Sequence, residues 1–363
     1  MDGGEGGRKV VVMHIVMTVM GLELTSGVSV FVVETANRLA QRGSQVTILY
    51  NHTLEYRPNS SVQTIQGDTL DTLDFVPDLV HIHALWSPFC ANAMKWCVRH
   101  HVPYVVSLHG SLMPHTFTKG RIKKKLFFEL CLRRNLNQAN AVHVTADSEA
   151  SEARKLNLRV KMAVIPLGTN LPEKDTRNKK RSNTGRRTVL FLGRLGKEKG
   201  LCELLNAWAL MNHKGWRLVL AGPDWLGYKK TLDVLIREKD IQGVEFTGAV
   251  EGRVKEEWYR VADLFVLPSP MENFSAAVLD ALVYGIPVIA TKGTPWRELE
   301  KKHCGWWIEP GEISLRTALT AAISLTDDQR RAFGNNGRHV AERYSWVCVI
   351  ERLWELYKII VEG

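Results

Sequence analysis

No stretch of this sequence stays apolar for the roughly 20 residues that a membrane-spanning helix needs. The only apolar run near the start, Val10 to Met20, is interrupted by His14 and is followed by a Gly-containing loop and an amphipathic pattern rather than a small-residue cleavage site. It reads as a first β-strand, not as a signal peptide, and implies a cytoplasmic chain. Cysteine is sparse: Cys90, Cys97, Cys131, Cys202, Cys304 and Cys348 lie far apart with no CxxC pair. A disulfide framework and a thiolate metal site are both excluded on that spacing. Acidic residues are outnumbered, 38 against 48 basic, for a net charge of +10. An anionic partner is implied, and the choice lies among a phosphorylated substrate, nucleic acid and an anionic membrane. The sequence lacks the interleaved aromatic and basic array of a base-stacking surface, so no nucleic acid is expected.

What is present is enough apolar residue for two cores, 45% of 363 positions, in a chain longer than one core usually serves. Lys9 to Met17, Gln45 to Tyr50, Leu79 to His83, Tyr104 to Leu108 and Ala141 to Thr145 are short β-rich runs separated by helix-length stretches, of which Val28 to Arg42 shows the 3.6-residue period. Strands apolar throughout and alternating with helices predict a parallel sheet covered on both faces. Glu173 to Arg187 is polar, basic and aperiodic, as a linker is. The alternation then restarts at Thr188 to Leu192, Trp216 to Ala221, Val244 to Thr247, Leu264 to Leu267 and Pro287 to Ala290. The fold class is therefore α/β: two Rossmann-like doubly wound domains, 1–168 and 188–345, joined by a linker at 169–187. A final helix, 346–363, has Trp346, Val347, Ile350, Leu353, Trp354, Tyr357 and Ile360 at helical spacing, and packing against the first domain is a suitable role for it. Open sheets of this kind bind ligands beyond the carboxyl ends of their strands, so a cleft between the two domains is the expected site.

Two segments carry chemistry. Phe191 to Gly200 (FLGRLGKEKG) follows a strand and opens a helix, which suits an anion, with Arg194 and Lys199 available to neutralise it. Leu267 to Thr291 (LPSPMENFSAAVLDALVYGIPVIAT) reads as strand, polar loop, helix from about Ala276, turn at Gly285, and strand. Glu272 lies in the loop, and Asp280 one turn into the helix, on a line with Ala276 and facing the same cleft. This second segment resembles the signature of the retaining glycosyltransferases of family 4, which have the GT-B fold. The resemblance covers nearly the whole chain. It implies that Glu272 contacts donor-sugar hydroxyls, that the N–H groups of Asn273, Phe274, Ser275 and Ala276 hold phosphate, and that Arg194 and Lys199 bind the diphosphate. The family's second carboxylate, eight residues after the first, is usually Glu and binds the ribose; here it is Asp280, about 1.5 Å shorter.

In the first domain Gly27, within Thr25 to Val28, matches the family's Gly-containing loop near the donor phosphates, and His109 matches its His near the reacting carbon. The implied donor is a UDP- or GDP-sugar with no metal, the acceptor a saccharide or lipid-linked saccharide of the kind used in polysaccharide synthesis. His81 and His83, alternate on one strand, lack a third ligand and read as structural or acceptor-side residues. Glu298 is placed near the nucleotide, at a helix cap or on the exposed surface. Lys119 to Arg134 is a basic amphipathic segment, read as a docking element for an anionic membrane on the cytoplasmic face or as a helix with a solvated basic side. The alternatives to a transferase are a non-catalytic binding relative and an epimerase or phosphorylase of the same architecture.

Overall fold

The computed structural model describes residues 12–24, 26–117, 120–172 and 185–363. The chain divides into two compact units: one holds the described residues up to Leu167 together with Val347–Gly363, the other is Gly168–Trp346. Lys9 to Val11, Thr25, Lys119 and most of the basic stretch from Glu173 lie outside the described residues.

The first unit is built on β1 (His14–Val19), β2 (Gln45–Tyr50), β3 (Val62–Gln66), β4 (Leu79–His83), β5 (Tyr104–Ser107), β6 (Ala141–Val144) and β7 (Met162–Val164), in the order β3-β2-β1-β4-β5-β6-β7. Every pairing is parallel. The order reverses between β1 and β4, the switch point where such sheets open a crevice. All five residues of β4 are buried, which is why it reads as an apolar run despite its two histidines. Helix Gly27–Gln41 buries Phe31, Val32, Val33, Ala36 and Leu39, and its N-cap Ser26 accepts from the Ser29 N–H. Helix Trp346–Glu362 closes this unit, with Tyr357 fully buried and Arg42 paired to Glu351 at 2.5 Å.

The second unit contains β8 (Arg187–Leu192), β9 (Trp216–Ala221), β10 (Val244–Gly248), β11 (Leu264–Leu267), β12 (Val288–Thr291) and β13 (Gly305–Ile308), again all parallel, in the order β10-β9-β8-β11-β12-β13. Its switch point is between β8 and β11. Arg217, buried at the start of β9, is neutralised across the sheet by Glu245 at 2.7 Å and bonds Thr188 at 3.1 Å.

Three strands escape a reading by apolar runs. β3 and β7 are edges of the first sheet and β13 an edge of the second, and an edge strand needs no continuous apolar face. β13 also opens on Gly305, where any Cβ would collide with the Val288 carbonyl. The basic segment is not one helix. Helix Arg121–Phe127 passes through a π-helical turn, Phe128–Leu132, into helix Arg133–Gln138. Phe128 and Leu132 are buried, whereas Ile122, Leu126 and Leu130 are 84%, 57% and 74% exposed.

Candidate active site

In the second unit, three loops at the carboxyl ends of strands converge because glycines permit close backbone approach. Gly200 (φ +67) lies where a side chain would strike the Pro268 carbonyl, so the loop after β8 abuts the loop after β11. Gly293, after β12, is pressed against the Pro270 carbonyl and accepts from the Glu272 N–H at 2.9 Å. These contacts bring together Lys199 and Glu272, residues 73 apart in sequence: Nζ to Oε1 is 2.6 Å, with both side chains 16% exposed. A pair this sheltered is screened less than a surface pair, and removing either partner leaves the other charge partly buried and unpaired.

Three residues on from Glu272, the backbone is strained. Ser275 caps helix Ala276–Val283 at φ 70, ψ 75, left-handed for a residue with a Cβ, and makes no side-chain cap. Phe274 explains how the turn is held. Its side chain is buried against Trp296 (5.2 Å) and Tyr344 (5.9 Å), and its carbonyl accepts from Trp296 Nε1 at 2.6 Å. Phe274 therefore acts as a wedge, and only its backbone is placed to serve a ligand. The first N–H groups of the following helix have no intrahelical acceptor and carry the positive end of its dipole.

Arg194 stands apart from the Lys199–Glu272 pair, half-exposed, 3.8 Å from Glu198 and stacked 4.5 Å over the Trp225 ring. Asp280 is also occupied elsewhere. Its carboxylate pairs with Lys255 at 2.7 Å and lies near the buried Tyr259 hydroxyl, which donates to the Ala277 carbonyl at 3.3 Å and whose proton is held firmly by burial first and by the Asp280 charge second. Glu272 and Asp280 thus have separate partners, and the shorter side chain is tied to helix Gly252–Val261. Glu298 is clamped by Arg343 at 2.6 Å and Tyr344 at 3.2 Å. Trp225, Lys255 and Tyr259 were not legible as site residues; an aromatic in the polar loop after β9 was the only signal available for the first.

In the first unit, Gly27 opens helix Gly27–Gln41 with no neighbour that a Cβ would meet, so packing does not demand glycine there. His109 follows β5 in a left-handed turn (φ 48) with Gly110 (φ 78). The turn is held from β6's side: the buried Glu149 carboxylate accepts from the Gly110 N–H, from Thr145 N at 2.7 Å and from Thr145 Oγ1 at 3.0 Å. His109 Nε2 lies 3.0 Å from His83 Nδ1, and Phe31 meets the ring edge-on at 5.4 Å.

Beside it runs a buried chain whose proton positions follow from its last acceptor. The Ile165 carbonyl can only accept, so His143 Nε2 donates to it (2.8 Å). His143 Nδ1 then accepts from the Ser107 hydroxyl (2.5 Å), which accepts from His81 Nε2 (2.7 Å), leaving His81 Nδ1 to accept from Tyr357 (2.5 Å). Burial drives all four histidines toward the neutral form: His81 and His83 well below the ordinary value, His143 to about 4, His109 to about 3.

Two family descriptions match, in sequence order: a glycosyl transferase 4-like domain over residues 26–168 and the glycosyl transferases group 1 over residues 172–340. The chain belongs to the group 1 glycosyltransferase family. Among its group 1 relatives is TuaC of Bacillus subtilis (strain 168), a glycosyltransferase assigned to teichuronic acid biosynthesis, 30% identical over 76% of this chain and 67% of TuaC. Solved structures of the same GT-B fold include sucrose-phosphate synthase from Thermosynechococcus elongatus, with a TM-score of 0.78 at 20% identity over 96% of this chain and 99% of that one. Anabaena HepE, solved in complex with UDP and glucose, gives 0.71 at 19% identity over 94% and 98%.

Proposed function

We propose that this group 1 glycosyltransferase moves a sugar, with retention of anomeric configuration, from a UDP- or GDP-sugar to a saccharide or lipid-linked saccharide. The observation that carries the reading is the Lys199–Glu272 pair, held by two glycine-enabled loop contacts beside the strained helix mouth at Ser275. A sheltered cation, a carboxylate and the positive end of a helix are what a diphosphate-linked sugar requires. Lys199 and the helix N-terminus meet charge on the departing diphosphate, and Arg194, aligned by Trp225, adds to it. Glu272, released from Lys199 as the anion arrives, accepts from sugar hydroxyls. The bond from anomeric carbon to phosphate oxygen breaks, the acceptor oxygen bonds the same face, and the acceptor's proton passes to the leaving diphosphate, so no protein base is assigned. The similarity to TuaC, and the UDP and glucose held by HepE, support a nucleotide-sugar donor and a glycoconjugate acceptor.

The exposed Ile122, Leu126 and Leu130, flanked by exposed Arg121, Lys123 and Lys125, support docking of the first unit on an anionic lipid surface near a lipid-linked acceptor. Among the described residues no helix is long and apolar enough to cross a membrane. The test of function is turnover of UDP- and GDP-sugars with lipid-linked saccharides, reading nucleotide release and the anomeric proton of the product. Wild type yields a retained linkage and Glu272→Gln none. Equal turnover by Glu272→Gln overturns the site, and an inverted product overturns the reaction class. Flotation with anionic vesicles, lost when Ile122, Leu126 and Leu130 are all changed to Ser, tests the membrane contact.

A further inference from the structure

His83 is buried on β4 and touches His109 through Nδ1, yet its other ring nitrogen, Nε2, is buried without any hydrogen-bond partner among the described residues. That asymmetry decides where the protons are. If His83 carried its proton on Nε2, a donor would be sealed away with no acceptor, the costlier of the two arrangements. With the proton on Nδ1, the unpartnered atom is a bare lone pair, and the Nδ1–H donates to His109. The receiving atom, His109 Nε2, must then be bare, and the proton of His109 resides on Nδ1. His109 is half-buried, and its Nδ1 is not among the buried unpartnered atoms. The ring cannot readily turn over: the left-handed backbone is held by Glu149 through Gly110, and Phe31 stands against the ring's edge.

We propose that His83 is a positioning residue that fixes His109 as its Nδ1–H tautomer, so that His109 meets the sugar donor as a neutral hydrogen-bond donor and not as a base. This rests on the donor-site reading of His109 given above. The depressed protonation of both rings agrees with it, since neither carries a charge that would make both nitrogens donors.

The experiment compares wild type with His83→Asn and His83→Leu, which have nearly the same shape. Asn keeps an N–H where His83 Nδ1 stands; Leu keeps none. In chains labelled with nitrogen-15 histidine, the His109 signal, assigned by its loss in His109→Gln, should show Nδ1 protonated and Nε2 bare in wild type and the Asn variant. In the Leu variant the protonated nitrogen should switch wholly or in part to Nε2. With saturating acceptor, kcat should fall about tenfold in the Leu variant, the worth of one misdirected hydrogen bond, and be restored by Asn, while the donor KM is unchanged. A wild-type His109 protonated on Nε2, or a Leu variant that keeps both the Nδ1–H signal and kcat, overturns the proposal. Should wild type transfer no sugar at all, the donor-site reading falls, and the spectrum by itself still confirms or refutes the tautomer.

Discussion

Acidification should unlock the first unit well above the pH at which carboxylates titrate. In the unfolded chain each histidine takes a proton near pH 6.5, whereas His81, His83 and His143 are buried at 0–1% exposure and stay neutral in the fold well below that pH, His143 down to about 4. Below pH 6.5 the unfolded state therefore binds more protons, so the stability these groups confer is complete above 6.5 and drains away as pH falls. Each contributes about 1.4 kcal/mol per pH unit. Three together remove about 4 kcal/mol between pH 7.5 and 5.5, a large share of the 5–15 kcal/mol typical of a domain. His109, less deeply buried than these three, is left out of that sum. With a urea slope of roughly 2 kcal/mol per molar, the midpoint for the first unit should drop by about 2 M between pH 7.5 and 5.5. Hydrogen exchange of β4, β5 and β6 amides in urea reports that unit alone. His143→Gln should lessen the pH slope by about a third, the share of one of the three groups. A midpoint that moves by less than about 0.5 M would refute the neutral-histidine core.

Three further outcomes follow from single contacts. Tyr357→Phe strips the donor from His81 Nδ1, leaves that nitrogen buried and bare, and should cost about 1–3 kcal/mol in urea unfolding of the first unit. Gly293→Ala forces a Cβ into the Pro270 carbonyl and displaces the Glu272 loop; the melting temperature should fall, by the equivalent of about 1–3 kcal/mol, and the stabilisation by UDP or GDP should vanish. Lys199→Met should weaken nucleoside diphosphate binding by about 1.5–3 kcal/mol in titration calorimetry, and unaltered affinity would remove Lys199 from the site.

The interior of each sheet was legible in sequence because strands buried on both faces are written as apolar runs, as β9 and β11 are. β7, three residues long and on an edge, has no such signature, and its polar edge is managed by Arg352, which donates to the Val164 carbonyl at 2.7 Å. At the candidate site, Glu272 and Lys199 could be named from their local motifs, since each follows a strand and precedes a helix. Their ion pair could not, because it depends on β8 and β11 being neighbours, a fact of strand order. The same holds for Asp280, whose spacing from Glu272 suggested a shared task; its tie to Lys255 and Tyr259 comes from a helix some 20 residues earlier that packs alongside. The alternation of His81 and His83 announced a common environment. That His143 and a tyrosine from the last helix complete it is written nowhere near them.

That tyrosine gives the fold a temporal order. The sheet holding His81 is synthesised early, but the hydroxyl that its Nδ1 requires arrives with the final turns of the chain, after the whole of Gly168–Trp346 has been made. At roughly 5–20 residues per second a nascent first sheet waits about 10–40 s with that nitrogen unpaired. The second unit, continuous in sequence, can finish first. The first unit is thus begun before the second and finished after it, and damage to helix Trp346–Glu362 should surface as misfolding of the half synthesised first.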